Sequence, residues 1–189
     1  MTAQFNSTSL TDVYFNGTRT ESVVFNGTAV HNAKNGATSF IMNGTGSFSP
    51  GEEDVNRHFV VVQSEFSSGG LPDRPVPTIN GVSMNTVANR TNYFYEDGHS
   101  VRITTLKIPT GTGTFTLANC SGHTTLFRVV GIRDMSTAYS TNYSEGSGGL
   151  SVSTSSHGCS FIGFCNNFGY PGNSCSNADY WSVSSNKAN

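Results

Sequence analysis

The chain has 189 residues, a formal charge of −2 and only 12% Asp, Glu, Lys and Arg, about half the charged share of an average soluble protein. Gly, Ser, Thr and Asn fill nearly half of it and good helix formers are scarce, which argues against a helical bundle, a coiled coil and a doubly wound α/β enzyme. Thirteen Phe and seven Tyr argue against disorder, and a charge near zero gives no electrostatic case for nucleic-acid binding.

The start, Met1-Thr2-Ala3-Gln4-Phe5-Asn6, lacks a basic region and an apolar stretch, so no signal peptide is expected. The longest apolar run, Phe59-Val60-Val61-Val62, falls far short of a bilayer span. The expected product is soluble and made in a cytosol, with no membrane partner.

Residues 1–50 repeat themselves. Val13-Tyr14-Phe15-Asn16-Gly17-Thr18 returns ten residues later as Val23-Val24-Phe25-Asn26-Gly27-Thr28, and Phe40-Ile41-Met42-Asn43-Gly44-Thr45 is a looser third copy. Each is a short apolar strand ending in Asn-Gly, whose two residues tolerate the positive φ of a hairpin turn. The segment predicts a hairpin arm, and such short strands cannot bury a core alone. They need the rest of the chain, another subunit or a partner. Asn-x-Ser/Thr occurs at Asn6, Asn16, Asn26, Asn43, Asn89, Asn119 and Asn142; the sites read mostly as turns, not as glycosylation acceptors.

Ser49-Pro50-Gly51-Glu52-Glu53-Asp54 is a polar break, and the expected boundary between an arm (1–50) and a main domain (55–189). Strands follow at 58–66, at 78–79 paired with 82–84 through Asn80-Gly81, at 93–95, and at 101–108. In the last, the apolar positions Val101 and Ile103 change phase to Leu106 and Ile108, which allows a bulge at Thr104-Thr105. Strands at 115–119 and 126–132 complete the set. With turns every 8–14 residues and no long 3.6-residue period, the pattern predicts an all-β fold, a β-sandwich or jelly-roll-like domain behind a short hairpin arm.

From His157 onward the chain is aromatic, with Phe161, Phe164, Phe168, Tyr170, Tyr180 and Trp181. Packing on the domain is the first expectation for these rings, and an interface the second. Cys120, Cys159, Cys165 and Cys175 fit no paired zinc knuckle. A reducing cytosol favours free thiols, with bridged and metal-bound arrangements left open. No nucleophile elbow, phosphate loop or zincin motif occurs. Glu52, Glu53 and Asp54 are neighbours on a polar turn, a solvated setting that raises no carboxyl pKa. His31, His58, His99, His123 and His157 are scattered and read as surface or loop histidines. No catalytic, cofactor-binding or metal site is expected.

Two features resemble a family. The tandem Phe-Asn-Gly-Thr repeats, with Ala29-Val30-His31 after the second, resemble short repeats near the N-termini of small tailed-bacteriophage virion proteins. The body from Arg57 to about Val152 is similar to a β-sandwich module of phage and marine-virus structural proteins. It carries Ile79-Asn80-Gly81-Val82-Ser83-Met84, Pro109-Thr110-Gly111-Thr112-Gly113 leading to Leu117, and Phe127-Arg128-Val129-Val130-Gly131-Ile132. The resemblance implies a non-enzymatic virion component without cofactor, most like a capsid decoration (cement) protein. Its partners would be the major capsid protein or other virion proteins, and a homo-oligomer, a trimer by preference. A tail or neck adaptor and a tail-fibre carbohydrate- or receptor-binding module are the alternatives. Expected assembly contacts are Val13, Phe15, Val23 and Phe25 in the arm, and Tyr170, Tyr180 and Trp181 in the tail.

Overall fold

The computed structural model describes residues 37–71, 74–93, 97–132, 134–138, 141 and 159–163 with side chains, and further strands by backbone alone. No helix occurs among the described residues. In chain order the strands are β1 (Gln4–Phe5), β2 (Thr8–Ser9), β3 (Tyr14–Phe15), β4 (Thr18–Arg19), β5 (Ser22–Phe25), β6 (Thr28–Asn32), β7 (Ala37–Asn43), β8 (Gly46–Phe48), β9 (His58–Ser68), β10 (Thr78–Ile79), β11 (Val82–Ser83), β12 (Asn85–Phe94), β13 (Asp97–Lys107), β14 (Phe115–Ala118), β15 (His123–Val130), β16 (Phe164–Cys165), β17 (Val183–Ser184) and β18 (Lys187–Ala188).

Two antiparallel sheets form the body, one ordered β12-β13-β9-β15-β7 and the other β11-β10-β14-β8. One residue, Met84, separates β11 from β12, so the chain passes from one sheet to the other without a turn. Counting that stretch as one bent strand, eight successive strands give the double Greek-key wrapping of a jelly roll.

The alternation of side chains along each strand sorts the core into two layers. Phe59 and Val61 of β9 and Leu126 of β15 face the four-stranded sheet and meet Phe48, Ile79, Phe115 and Leu117. Phe48, Phe59 and Phe115 pack edge to face, with centroids 5.4–5.9 Å apart, the arrangement that ring quadrupoles favour. Val60, Val62, Phe127 and Val129 face outward, and there Cys159, Phe161, Ile132 and Met135 cover them. Strand β9 is therefore buried on both sides, and its continuous apolar run follows from that. β16 and β18 also lie against β9.

The body takes more of the N-terminal segment than the sequence indicates. β7 pairs with β15 along Ala37–Asn43, and β8 pairs with β14, burying Phe48. Residues 37–48, placed in the arm by the repeat, are thus strands of the sandwich. Asn43-Gly44 is a corner between the two sheets, not a hairpin turn. Gly44 N–H donates to Thr124 O at 2.9 Å and the Asn43 amide accepts from Thr125, so both residues are tied to β15. The polar break at 49–54 is the β8–β9 connection.

The bulge expected at Thr104-Thr105 lies elsewhere. β13 pairs with β9 without interruption from Asp97 to Lys107. Ile103 supports the outer layer and Leu106 the inner one, so the phase change records two covered faces. The bulges fall on the sheet's edge strands, at Val87 of β12 and Ile41 of β7. The one at Ile41 lets consecutive Ile41 and Met42 both pack on the inner core.

Candidate assembly surfaces and the clamp at the sandwich end

At the β8 end of the sandwich the chain is held by Arg57, which is fully buried. Its five N–H groups all reach backbone carbonyls: Nε donates to Ile108 O (2.7 Å), Nη1 to Gly51 O (3.1 Å) and Glu52 O (3.0 Å), and Nη2 to Thr110 O (2.6 Å) and Gly111 O (2.8 Å). The guanidinium also lies 5.6 Å from the ring centroids of Phe59 and Phe115, a cation–π placement. Desolvation lowers its pKa and Arg128 adds to this, while Glu53 and Asp54 oppose them; a guanidinium nevertheless stays charged in proteins. One planar fork thus fixes the 51–52 loop against the 108–111 loop, which no lysine could copy.

The neighbouring carboxylates serve the same loops. Glu53 Oε1 accepts Gly111 N–H at 2.6 Å, and Asp54 Oδ1 accepts Asn56 N–H at 2.9 Å. Glu52 and Glu53 are exposed, as expected of a solvated turn, and Asp54 is half-buried. His58 departs from expectation: it is 3% exposed, with Nδ1 3.0 Å from Asn56 O. Burial lowers its pKa, and the Asn56 carbonyl partly offsets this. The sequence signal for both was their place directly before the apolar run of β9, although the covering loops could not be read there.

The far end of the inner layer is polar. Gln63 and Glu65 continue the inward-facing side of β9 and are buried, with Arg102 directly across from Gln63. Arg102 donates to Arg74 O and Pro75 O, Gln63 donates to Ser121 O, and Arg74 approaches Glu65 at 3.9 Å. Gln63 Oε1, Glu65 Oε2, Arg102 Nε and Ser121 Oγ are buried there without a hydrogen-bond partner. Among the described residues no group of three or more His, Cys, Asp and Glu comes together.

Cys120 and Cys159 are free thiols. Burial pushes Cys120 up to about 11 and moves Cys159 in the same direction, hydrogen bonds from Thr124 and Thr38 opposing it. Both are protonated at neutral pH, a state poor in nucleophilicity. Phe161, expected to pack or to form an interface, packs: its ring sits 5.3 Å from that of Phe127.

The four outer edges of the sandwich share one property. β8 and β11 are three and two residues long, while β7 and β12 are longer but bulged. Short strands and bulges are the devices by which soluble sheets avoid edge-to-edge pairing.

The arm shares these features, since β1–β4 are two residues long and β5–β6 carries a register shift between Val23 and Val24, but it joins neither sheet of the sandwich. β1–β2, β3–β4 and β5–β6 are three separate antiparallel pairs. Their closing pairs are Phe5↔Thr8, Phe15↔Thr18 and Phe25↔Thr28, so a two-residue connection recurs every ten residues and the repeat begins one copy earlier than its Asn-Gly signal shows. Of the expected contact residues, Phe15, Val23 and Phe25 lie on these strands; Val13, Tyr170, Tyr180 and Trp181 lie outside the described residues.

In comparisons with known proteins, no family model, curated protein or solved structure matches this chain.

Proposed function

We propose that the chain is a non-enzymatic structural protein of a tailed-bacteriophage virion, acting as a capsid decoration (cement) protein that binds the assembled shell and stabilises it. One observation carries the reading: a sandwich whose edges are short or bulged is preceded by three antiparallel strand pairs, recurring every ten residues, that join neither of its sheets. Such a body resists uncontrolled pairing in solution, while the arm keeps backbone groups for strand addition to a partner. Few charged residues fit a contact made by backbone pairing and apolar burial. The partner is the major capsid protein or another virion protein, met by a homo-oligomer, a trimer by preference.

The test is removal of residues 1–36, which spares β7, β8 and the buried Phe48. The truncated protein should keep the cooperative unfolding of the sandwich and lose binding to purified shells. Decoration at wild-type occupancy by the truncated protein would refute the role of the arm.

A further inference from the structure

We infer that the polar end of the inner layer is a binding site for one ordered water molecule, held between Gln63, Glu65, Arg102 and Ser121. The inference concerns the sandwich alone and does not depend on where, or whether, the protein sits in a virion.

The sheet register and the loop contacts place the four residues together. Gln63 and Glu65 stand two residues apart on one face of β9 and are 1% and 7% exposed. Arg102 lies directly across from Gln63 on β13. The side chains of this cross-strand pair are anchored to different loops. Gln63 Nε2 and Thr124 Oγ1 both donate to Ser121 O at 3.2 Å. A turned amide would set Oε1 against that carbonyl, so Oε1 is held on the other side. Arg102 Nη1 donates to Arg74 O at 3.1 Å and to Pro75 O at 2.9 Å. Arg74 Nη2 donates to Asn89 Oδ1 at 3.0 Å, and its Nε stands 3.9 Å from Glu65 Oε2, beyond direct hydrogen bonding. A Cβ on Gly122 would meet Glu65 Cβ at 2.9 Å, so the loop that carries Ser121 lies directly on this end of β9.

What these anchors leave over is a balanced set. Gln63 Oε1 and Glu65 Oε2 are acceptors, Arg102 Nε and Ser121 Oγ can donate, and all four are buried without a protein partner. Buried polar atoms of folded proteins pair with other protein groups or with ordered water. Two acceptors and two donors are the complement of one water, which donates twice and accepts twice. Charge disfavours the other small guests: Arg102 and Arg74 oppose a cation, and Glu65 opposes an anion. Burial of the four atoms keeps a larger polar molecule, such as a sugar, from reaching them while the loops at 74–75 and 121–122 are in place. The water joins both loops to β9 and β13, as Arg57 joins two loops at the opposite end through its own N–H groups.

The test is a high-resolution crystal structure of the full chain, with nuclear magnetic resonance as a second reading in solution. One water should lie within hydrogen-bond distance of Gln63 Oε1, Arg102 Nε and at least one of Glu65 Oε2 and Ser121 Oγ. The Arg102 Nε–H signal should show cross-relaxation to water with the sign of a long-lived contact. Gln63→Met, of similar volume, removes an acceptor and should lose the water while the sandwich still unfolds cooperatively. Direct pairing of Gln63 Oε1 with Arg102 Nε, an ion or an organic molecule at that position, or the absence of a long-lived water at Arg102 would each overturn the inference. A water kept unchanged in Gln63→Met would overturn the set of partners assigned to it.

Discussion

Arg57 shows how much one side chain can organise through hydrogen bonds to backbone carbonyls. Removing it as Arg57→Ala leaves a cavity against Phe59 and Phe115 and frees both loops, at a cost of roughly 3 kcal/mol. Arg57→Lys keeps the charge but not the fork, and should lose at least half as much, both read from denaturant midpoints. His58 sets a pH dependence. Its folded pKa lies below that of the unfolded chain, so the unfolded state takes up a proton first as pH falls. The contribution is complete above the ordinary histidine value of about 6.5 and is lost progressively below it. The melting temperature should therefore decline from pH 7 toward pH 5, and His58→Gln should flatten that decline. Neither residue could be assigned from sequence, since a lone Arg or His before a strand is usually exposed, and its burial here depends on loops that come from elsewhere in the chain.

Among elements, the Asn80-Gly81 hairpin was fully legible. Both residues have positive φ, 50° and 79°, as the favoured two-residue turn requires. Asn80 adds a feature invisible in the sequence: its N–H donates to Thr116 O and its Oδ1 accepts Thr116 N–H, continuing β14 pairing around the turn. Gly81→Val should destabilise by about 1–2 kcal/mol through the left-handed backbone alone. The same dipeptide at Asn43-Gly44 makes a sheet-to-sheet corner, because dipeptide preference fixes a backbone reversal and not the partner beyond it. The docked segment at 159–163 is a third case. A Cβ on Gly163 would meet Val101 Cγ1 at 2.5 Å and Ser64 Oγ at 2.8 Å, so Gly163→Val should lift the segment from the outer face. Iodoacetamide mapping by mass spectrometry should then find Cys159 modified in the variant and protected in the wild type, whereas Cys120 should remain protected in both.

Across the whole molecule, composition and turn spacing predicted two antiparallel sheets correctly, since they depend on local alternation and turn chemistry. The division between arm and body was less legible, because a repeat in sequence need not be a repeat in structure: two copies close hairpins in the arm, and the third supplies an edge strand of the sandwich. The outer layer was hidden because the residues that cover it, 159–163, are separated from the sheet by a Ser- and Gly-rich stretch with no pattern of its own. The proposal that this fold serves a virion shell is tested most directly by counting copies of the protein per purified particle with quantitative mass spectrometry. Decoration of a shell predicts hundreds of copies. A count of a few to a few dozen would move the protein to the tail, as an adaptor or a fibre module, and its absence from particles would contradict the account.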